Sequence, residues 1–182
     1  MKYCKKCLTT NLRPNASFEN GVCLMCNYSK AEFQFNKLLK LKLFQKRIKF
    51  SMNEQRKKGP YDCIVGVSGG KDSWYQAAML AAHFGLKVLC VTLGAHLPTT
   101  EGIENLNNMI KDLNVDHIKV TIKPSVFRQI RRKCFVRQGE PNWAEHCAMF
   151  SSVVNTALIY EVPMVVWGED IAFEFGGQQR SD

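Results

Sequence analysis

The chain of 182 residues has no apolar run that reaches the roughly 18–20 residues a membrane helix needs. Its longest uncharged stretches, residues 73–86, 88–100 and 147–160, fall short, and two of them contain His or Pro. No apolar signal core follows Met1-Lys2-Tyr3-Cys4, so the expected compartment is the cytoplasm, where thiols stay reduced. Its eight cysteines are therefore expected as metal ligands, core residues or catalysts rather than disulfides. The low-apolar composition of a disordered chain is also lacking: 46% of residues are hydrophobic and 23% charged, the balance of a packed globular protein. This length excludes two large domains and leaves room for one ordinary domain with an appendage.

Acids are in short supply, 16 against 25 Lys and Arg, for a formal charge of +9. Most of that excess comes from residues 30–58, where ten bases (Lys30, Lys37, Lys40, Lys42, Lys46, Arg47, Lys49, Arg56, Lys57 and Lys58) meet only Glu32 and Glu54. Phe33, Leu38, Leu39, Leu41, Phe44, Ile48 and Met52 recur there at helical spacings with no Gly or Pro before Gly59. A basic helical connector over residues 30–59 is predicted. The favoured interpretation of its charge is a solvated face beside a packed stripe; an RNA or membrane surface is the alternative.

Ahead of the connector, Cys4-x-x-Cys7 and Cys23-x-x-Cys26 form a C-x2-C-x15-C-x2-C array over residues 1–29. That spacing supplies four thiolates to one tetrahedral zinc ion, with iron–sulfur ligation as a variant. Pro14, Asn20 and Gly21 suit the reversal that returns the second pair to the first. Four protein ligands leave no open position, so the predicted role of the ion is structural and its binding energy becomes folding energy.

Residues 60–182 are expected to form a nucleotide domain. Tyr61-Asp62-Cys63-Ile64-Val65-Gly66-Val67 reads as a buried strand, Ser68-Gly69-Gly70-Lys71-Asp72-Ser73 as a Gly-rich turn, and residues 74–84 as a helix closed by Gly85. Backbone amides and the positive end of a helix dipole then converge on one point, suited to phosphate. The Walker A spacing is missing, since Gly66 and Gly70 enclose three residues and Asp72 follows Lys71. The Gly-x-Gly-x-x-Gly of nicotinamide domains is missing too. Further strands are predicted at residues 88–93, at Ile118, Val120 and Ile122, and at residues 164–167, with helices marked by Ile103, Leu106, Ile110 and Leu113 and by Trp143, Cys147, Phe150, Val154 and Leu158. The alternation predicts an α/β fold with a doubly wound parallel sheet, whose ligands sit at the carboxyl ends of the strands. Gly94, Gly168, Glu169 and Asp170 follow two of those ends and are adenine- or ribose-facing candidates.

Ser68-Gly69-Gly70-Lys71-Asp72-Ser73 in a strand-to-helix context resembles the motif of the PP-loop ATP pyrophosphatases, an adenine nucleotide alpha hydrolase-like fold. Members cleave ATP between its α- and β-phosphates. By that resemblance Val67, Ser68, Gly69, Gly70 and Ser73 surround pyrophosphate, Lys71 neutralises developing charge, and Asp72 positions magnesium or caps the helix. The Cys4 array, the block around the turn, Pro141-Asn142-Trp143 and Val166-Trp167-Gly168-Glu169-Asp170 followed by Glu174-Phe175-Gly176-Gly177 resemble the bacterial N-acetyl sugar amidotransferases along nearly the whole chain. This implies conversion of the acetamido group of an N-acetylated sugar acid to an acetamidino group, for surface polysaccharide or flagellin. ATP, magnesium and structural zinc are the implied cofactors, and ammonia comes from a partner glutaminase with a cyclase-like companion. An oligomer is compatible with this picture. Such proteins continue for about as many residues again, so a partial nucleotide domain is expected.

Cys63, Cys90, Cys134 and Cys147 lie outside any strand-to-helix elbow, so no glutaminase nucleophile is expected. Cys147 shares an apolar face with Trp143, Phe150 and Val154, which assigns it to core packing, with sulfur transfer as the alternative; His146 is expected at the surface. Arg128, Arg131, Arg132, Lys133 and Arg137 have two open readings, a carboxylate or diphosphate site and a solvated basic face. The competing functions are a tRNA-thiolating enzyme, which a Cys4 ribbon and a basic chain also fit but which finds no Cys-x-x-Cys pair in the nucleotide domain, and an inactive ATP-binding remnant.

Overall fold

The computed structural model describes residues 1–12, 16–55, 59–94 and 98–168. The chain divides into two compact units, Met1–Arg47 and Ile48–Gly168. Pro14, Glu169, Asp170 and residues 174–177 lie outside the described residues.

In the first unit, strands β1 (Phe18–Glu19) and β2 (Val22–Cys23) pair antiparallel. Asn20 and Gly21 make the two-residue turn between them with φ of 52° and 80°. Both values are left-handed, the geometry that matches strand twist and that Asn-Gly adopts most cheaply. Lys5 N–H donates to the Gly21 carbonyl at 2.9 Å and Cys4 N–H to the Thr9 carbonyl at 2.9 Å, which folds the first cysteine pair against the hairpin.

Helix α1 (Leu24–Gln55) starts directly after β2, so Cys26 sits in its first turn. The predicted helix is therefore present and begins within the second cysteine pair. Lys40, Lys42, Lys46, Arg47 and Lys49 are exposed, as expected of a solvated basic face. Phe33 and Leu38 of the expected packed stripe lie outside the side chains described; among the described ones Leu39, Leu41 and Phe50 are exposed, and Ile48 and Ser51 are buried. Apolar side chains are scattered round this helix, so no single face can collect them all.

In the second unit, strands β3 (Cys63–Gly66), β4 (Val88–Leu93), β5 (Asp116–Val120) and β6 (Val165–Val166) form a sheet of order β5-β4-β3-β6, parallel throughout. Ile64, Val65, Leu89, Cys90 and Val91 are at most 1% exposed, as the uninterrupted apolar runs require of strands covered on both sides. The flanking helices are α2 (Lys71–Ala78), which continues through a π-turn at Met79–His83, α3 (Thr100–Leu113), α4 (Pro124–Gln138) and α5 (Trp143–Ile159). Gly85 (φ 64°) and Asn114 (φ 48°) end the first two in left-handed conformations, Gly85 as the sequence predicts. Thr99 caps α3, its hydroxyl accepting from Gly102 N–H at 3.1 Å. The strand order reverses direction between β3 and β6. A switch point at the carboxyl ends of these strands is where doubly wound folds open a ligand crevice.

Helix α5 corrects one expectation. Trp143, Val154 and Leu158 are 53%, 44% and 70% exposed and Cys147 is exposed, whereas Ser152, Val153, Thr156 and Ala157 are buried. Of the expected face, Phe150 alone turns inward, its ring 4.7 Å from that of Trp167. The helix is apolar around most of its circumference, and close approach to the sheet selects the small side chains over the large ones. A Cβ on Gly66 would lie 3.3 Å from Val153 Cγ2 and 3.2 Å from the Trp167 ring. His146 is exposed, as expected.

Candidate functional site

The turn after β3 occupies the switch point. Val67 ends the strand with both backbone groups engaged: its N–H donates to the Val91 carbonyl, and its carbonyl accepts from the Thr92 hydroxyl, each at 2.8 Å. Gly69 turns the chain at φ 82°, and a Cβ there would lie 2.5 Å from the Gly102 carbonyl oxygen. Glycine is thus required twice over, by conformation and by the approach of α3. Gly70 stands at the N-cap of α2, where a side chain normally satisfies the first amides, and it supplies none. The Ser73 hydroxyl donates to the Gly70 carbonyl at 3.1 Å, and Ser68 N–H lies 3.5 Å from that hydroxyl. Among the described residues no acceptor meets the N–H groups of Gly69, Gly70, Lys71 and Asp72. Four backbone donors at the amino terminus of α2 are thus left for an incoming acceptor, the supply of amides that an oxyanion takes.

Lys71 and Asp72 are 88% and 78% exposed, with Nζ 2.8 Å from Oδ1. An ion pair so exposed is worth about 0–1 kcal/mol, so a bound anion can redirect Lys71 at little cost.

Behind the turn a polar chain crosses the sheet. His117 Nε2 lies 2.9 Å from Thr92 Oγ1. Because the Thr92 hydroxyl already donates to Val67, the imidazole is the donor in that contact. Burial, helped by nearby Lys119, holds His117 below its ordinary pKa of 6.5 and keeps the ring neutral. Sequence reasoning missed this chain; the signal was Thr92, the one polar residue in the apolar run of β4.

Gly94 follows β4, its N–H donating to the Val120 carbonyl at 2.7 Å, and a Cβ there would sit 2.8 Å from Thr121 Cγ2. It borders a cavity of about 320 Å³ at the carboxyl ends of β4 and β5, whose walls include Leu93, Thr121, Lys123 and Phe127. Gly168 follows β6, and a Cβ on it would meet Gln76 Nε2 at 2.6 Å. Gln76 Oε1 is buried there and meets no hydrogen-bond partner among the described residues. The turn and Gly168 thus border α2, and Gly94 stands at the next strand end. Cys63 and Cys90 lie within the sheet, where burial pushes both thiols up to about 12, which suits packing and not nucleophilic work.

In the first unit the sulfurs of Cys4, Cys7, Cys23 and Cys26 all lie within 4.8 Å of one another. Cys4 Sγ accepts from the N–H groups of Lys6 and Cys23, both at 3.3 Å, and Cys7 Sγ lies 3.6 Å from Cys23 Sγ. Desolvation opposes ionisation of Cys4, but these amide donors outweigh it and bring the thiol down to about 6. Cys26, hydrogen-bonded to Cys7 and Cys23, is pushed up to about 12. Four thiols packed this closely cannot all ionise alone, whereas a central dication makes all four thiolates compatible. The donor set fits a tetrahedral thiophilic metal.

A parallel sheet of this order, flanked by helices and carrying Ser-Gly-Gly-Lys-Asp-Ser at its switch point, is the PP-loop fold of ATP pyrophosphatases, a superfamily of generally ATP-using enzymes. Residues 43–145, more than half of the chain, match the NAD synthase family model, and the chain belongs to that NAD synthase-like family. The structure is similar to an NH3-dependent NAD synthetase from Campylobacter jejuni, with TM-score 0.51 and 18% identity, covering 72% of this chain and 57% of that one. It is also similar to NMN synthetase from Francisella tularensis, with TM-score 0.50 and 21% identity, covering 70% and 53% respectively. An uncharacterized protein of Methanocaldococcus jannaschii is 39% identical over 64 residues, 35% of this chain and 23% of that protein. The chain therefore spans little more than half of the two synthetases and under a quarter of the archaeal protein. Among the described residues no helix is long and apolar enough to cross a membrane.

Proposed function

We propose that the chain is the adenylating part of an ATP-dependent amidotransferase acting on the acetamido group of an N-acetylated sugar acid. The amide oxygen attacks the α-phosphorus of ATP, pyrophosphate leaves, and an O-adenyl imidate forms; ammonia adds to the imidate carbon and AMP departs, leaving an amidine. An amide oxygen is otherwise a very poor leaving group, so the nucleotide is what makes the exchange feasible.

The observation that carries the reading is the turn of residues 68–73, with four amides at the start of α2 that meet no acceptor among the described residues. In this scheme Ser68, Gly69, Gly70 and Ser73 hold the leaving pyrophosphate, Lys71 meets the charge that develops on it, and Gly94 and Gly168 border the nucleotide. Asp72 offers the hard oxygen donor magnesium takes. Zinc is the proposed occupant of the Cys4, Cys7, Cys23 and Cys26 cluster, in a structural role. Glu169 and Asp170 remain candidate nucleotide contacts. Ammonia would come from a glutaminase with a cyclase-like companion, and surface polysaccharide or flagellin sugars are the expected products' destination.

One observation favours a second reading. Cys147 is exposed rather than packed in the core, so a thiolating reaction on tRNA would find an accessible thiol there.

One assay separates the two. AMP and pyrophosphate release is measured with ATP, ammonium and an N-acetylated sugar acid. Lys71→Ala and Ser73→Ala are expected to lower it about 100-fold or more, with zinc content unchanged and Cys147→Ser close to wild type. Release that depends on tRNA and vanishes in Cys147→Ser would replace the amidotransferase reading with thiolation.

A further inference from the structure

Helix α4 carries Arg128, Arg131, Arg132, Lys133 and Arg137 and not one acid. Among the described residues no carboxylate pairs with any of the five. Arg128 with Arg132 and Lys133 with Arg137 are like charges at i,i+4, each pair costing a few tenths of a kcal/mol (about 0.2–0.5) in helix stability. A bound anion would reverse that sign.

Three of these cations share a hollow. Arg128, Arg131 and Arg132 line a cavity of about 370 Å³ together with Phe127, Phe135 and Pro141. Its size falls in the range of small-molecule sites, about 300–1,000 Å³. Arg131 is already oriented: Nη2 donates to Asn142 Oδ1 at 3.1 Å, and its guanidinium carbon lies 5.8 Å from the centre of the Phe127 ring. A guanidinium held in this way loses less entropy on meeting an oxyanion. Phe127, the one buried residue of α4, also lines the cavity beside Gly94, so one ring separates the arginine hollow from the carboxyl ends of β4 and β5.

We propose that this hollow is the subsite for the anionic group of the acceptor substrate, a phosphate or a carboxylate, held by Arg128, Arg131 and Arg132 with ring faces of the ligand against Phe127 and Phe135. The inference rests on the adenylation reading, because it places the acceptor next to the nucleotide's end of the sheet. Three guanidinium groups gathered at one hollow walled by Phe127, Phe135 and Pro141 match a small anion with an apolar body, whereas a polynucleotide backbone would follow a longer stripe of charge.

Phenylglyoxal modification of the full chain, mapped by peptide mass spectrometry, tests it with ADP present to fill the turn. Uridine diphosphate, N-acetylneuraminate and a 12-residue oligouridylate are compared as protectants. One of the two small anions is expected to slow modification of Arg128, Arg131 and Arg132 about tenfold at about ten times its Kd, leaving Arg137 on the same helix unaffected. Diphosphate and carboxylate sources are told apart by which of the two protects. In Arg128→Gln/Arg132→Gln the protection of Arg131 should vanish while ADP binding stays as in wild type. No protection by either small anion, or protection by oligouridylate alone, overturns the proposal. ADP binding, followed separately by equilibrium dialysis, scores the adenylation reading: a chain that binds ADP but shows no protection loses the subsite only.

Discussion

At Gly69 two constraints coincide, neither of which acts at Gly70. Its φ of 82° is one that residues with a Cβ rarely adopt, and the Gly102 carbonyl stands where that Cβ would go. Gly70, next in sequence, has φ −81°, and a Cβ there would meet only Ser68 Oγ at 3.5 Å. Two adjacent glycines that look alike in the motif therefore have different physical reasons to be there. Gly69→Ala is expected to cost about 1–3 kcal/mol in urea unfolding, and Gly70→Ala no more than about 0.5 kcal/mol. Equal losses in the two variants would mean that α3 does not approach the turn as described. Cys147 teaches a related lesson at the same scale. Its apolar neighbours placed it in the core by pattern, yet the rotation of one helix left it at the surface.

Among the strands, β5, β4 and β3 are tied by more than ladder hydrogen bonds. His117 donates to Thr92, and Thr92 donates to the carbonyl of Val67, the residue before the turn. Folding favours the neutral imidazole, so the unfolded chain takes up a proton first as the pH drops. The contribution is thus complete above about pH 6.5 and is lost as pH falls from there toward the lower pKa of the folded state. The thermal midpoint of the wild type should fall more between about pH 7.5 and 5.5 than that of His117→Gln, which keeps a donor but cannot ionise. Parallel curves would remove His117 from the account. Helix α5 shows what an element's own pattern leaves open. Its large apolar residues suggest one face, whereas burial follows Ser152, Val153, Thr156 and Ala157, because small side chains let a helix approach a sheet at Gly66.

At the scale of the molecule, the first unit has few buried side chains among its described residues, and these include Cys4 and Cys23. Metal binding there should stand in for a core. Chelation of the proposed zinc is expected to abolish amide protection over residues 3–26 in hydrogen exchange, while residues 63–66 and 88–93 stay protected. Protection that survives a metal-free preparation in the first unit would show that the hairpin folds without an ion.

Much of this protein is written locally in its sequence. Cys-x-x-Cys spacing, Asn20-Gly21, the apolar runs of β3 and β4, the Ser-Gly-Gly-Lys-Asp-Ser turn and the ends of α2 and α3 depend on neighbours within a few residues, so each was legible without a fold. What needed the tertiary structure depends on partners far along the chain. The face of α5 is set by Gly66, the exposure of Cys147 follows from that face, the Thr92–His117 chain joins residues on adjacent strands, and the arginine hollow takes shape where α4 meets Pro141. Local chemistry fixes which bonds a segment can make by itself, whereas burial is decided only when distant segments compete for the same surface, and that competition has no signature in a single stretch of sequence.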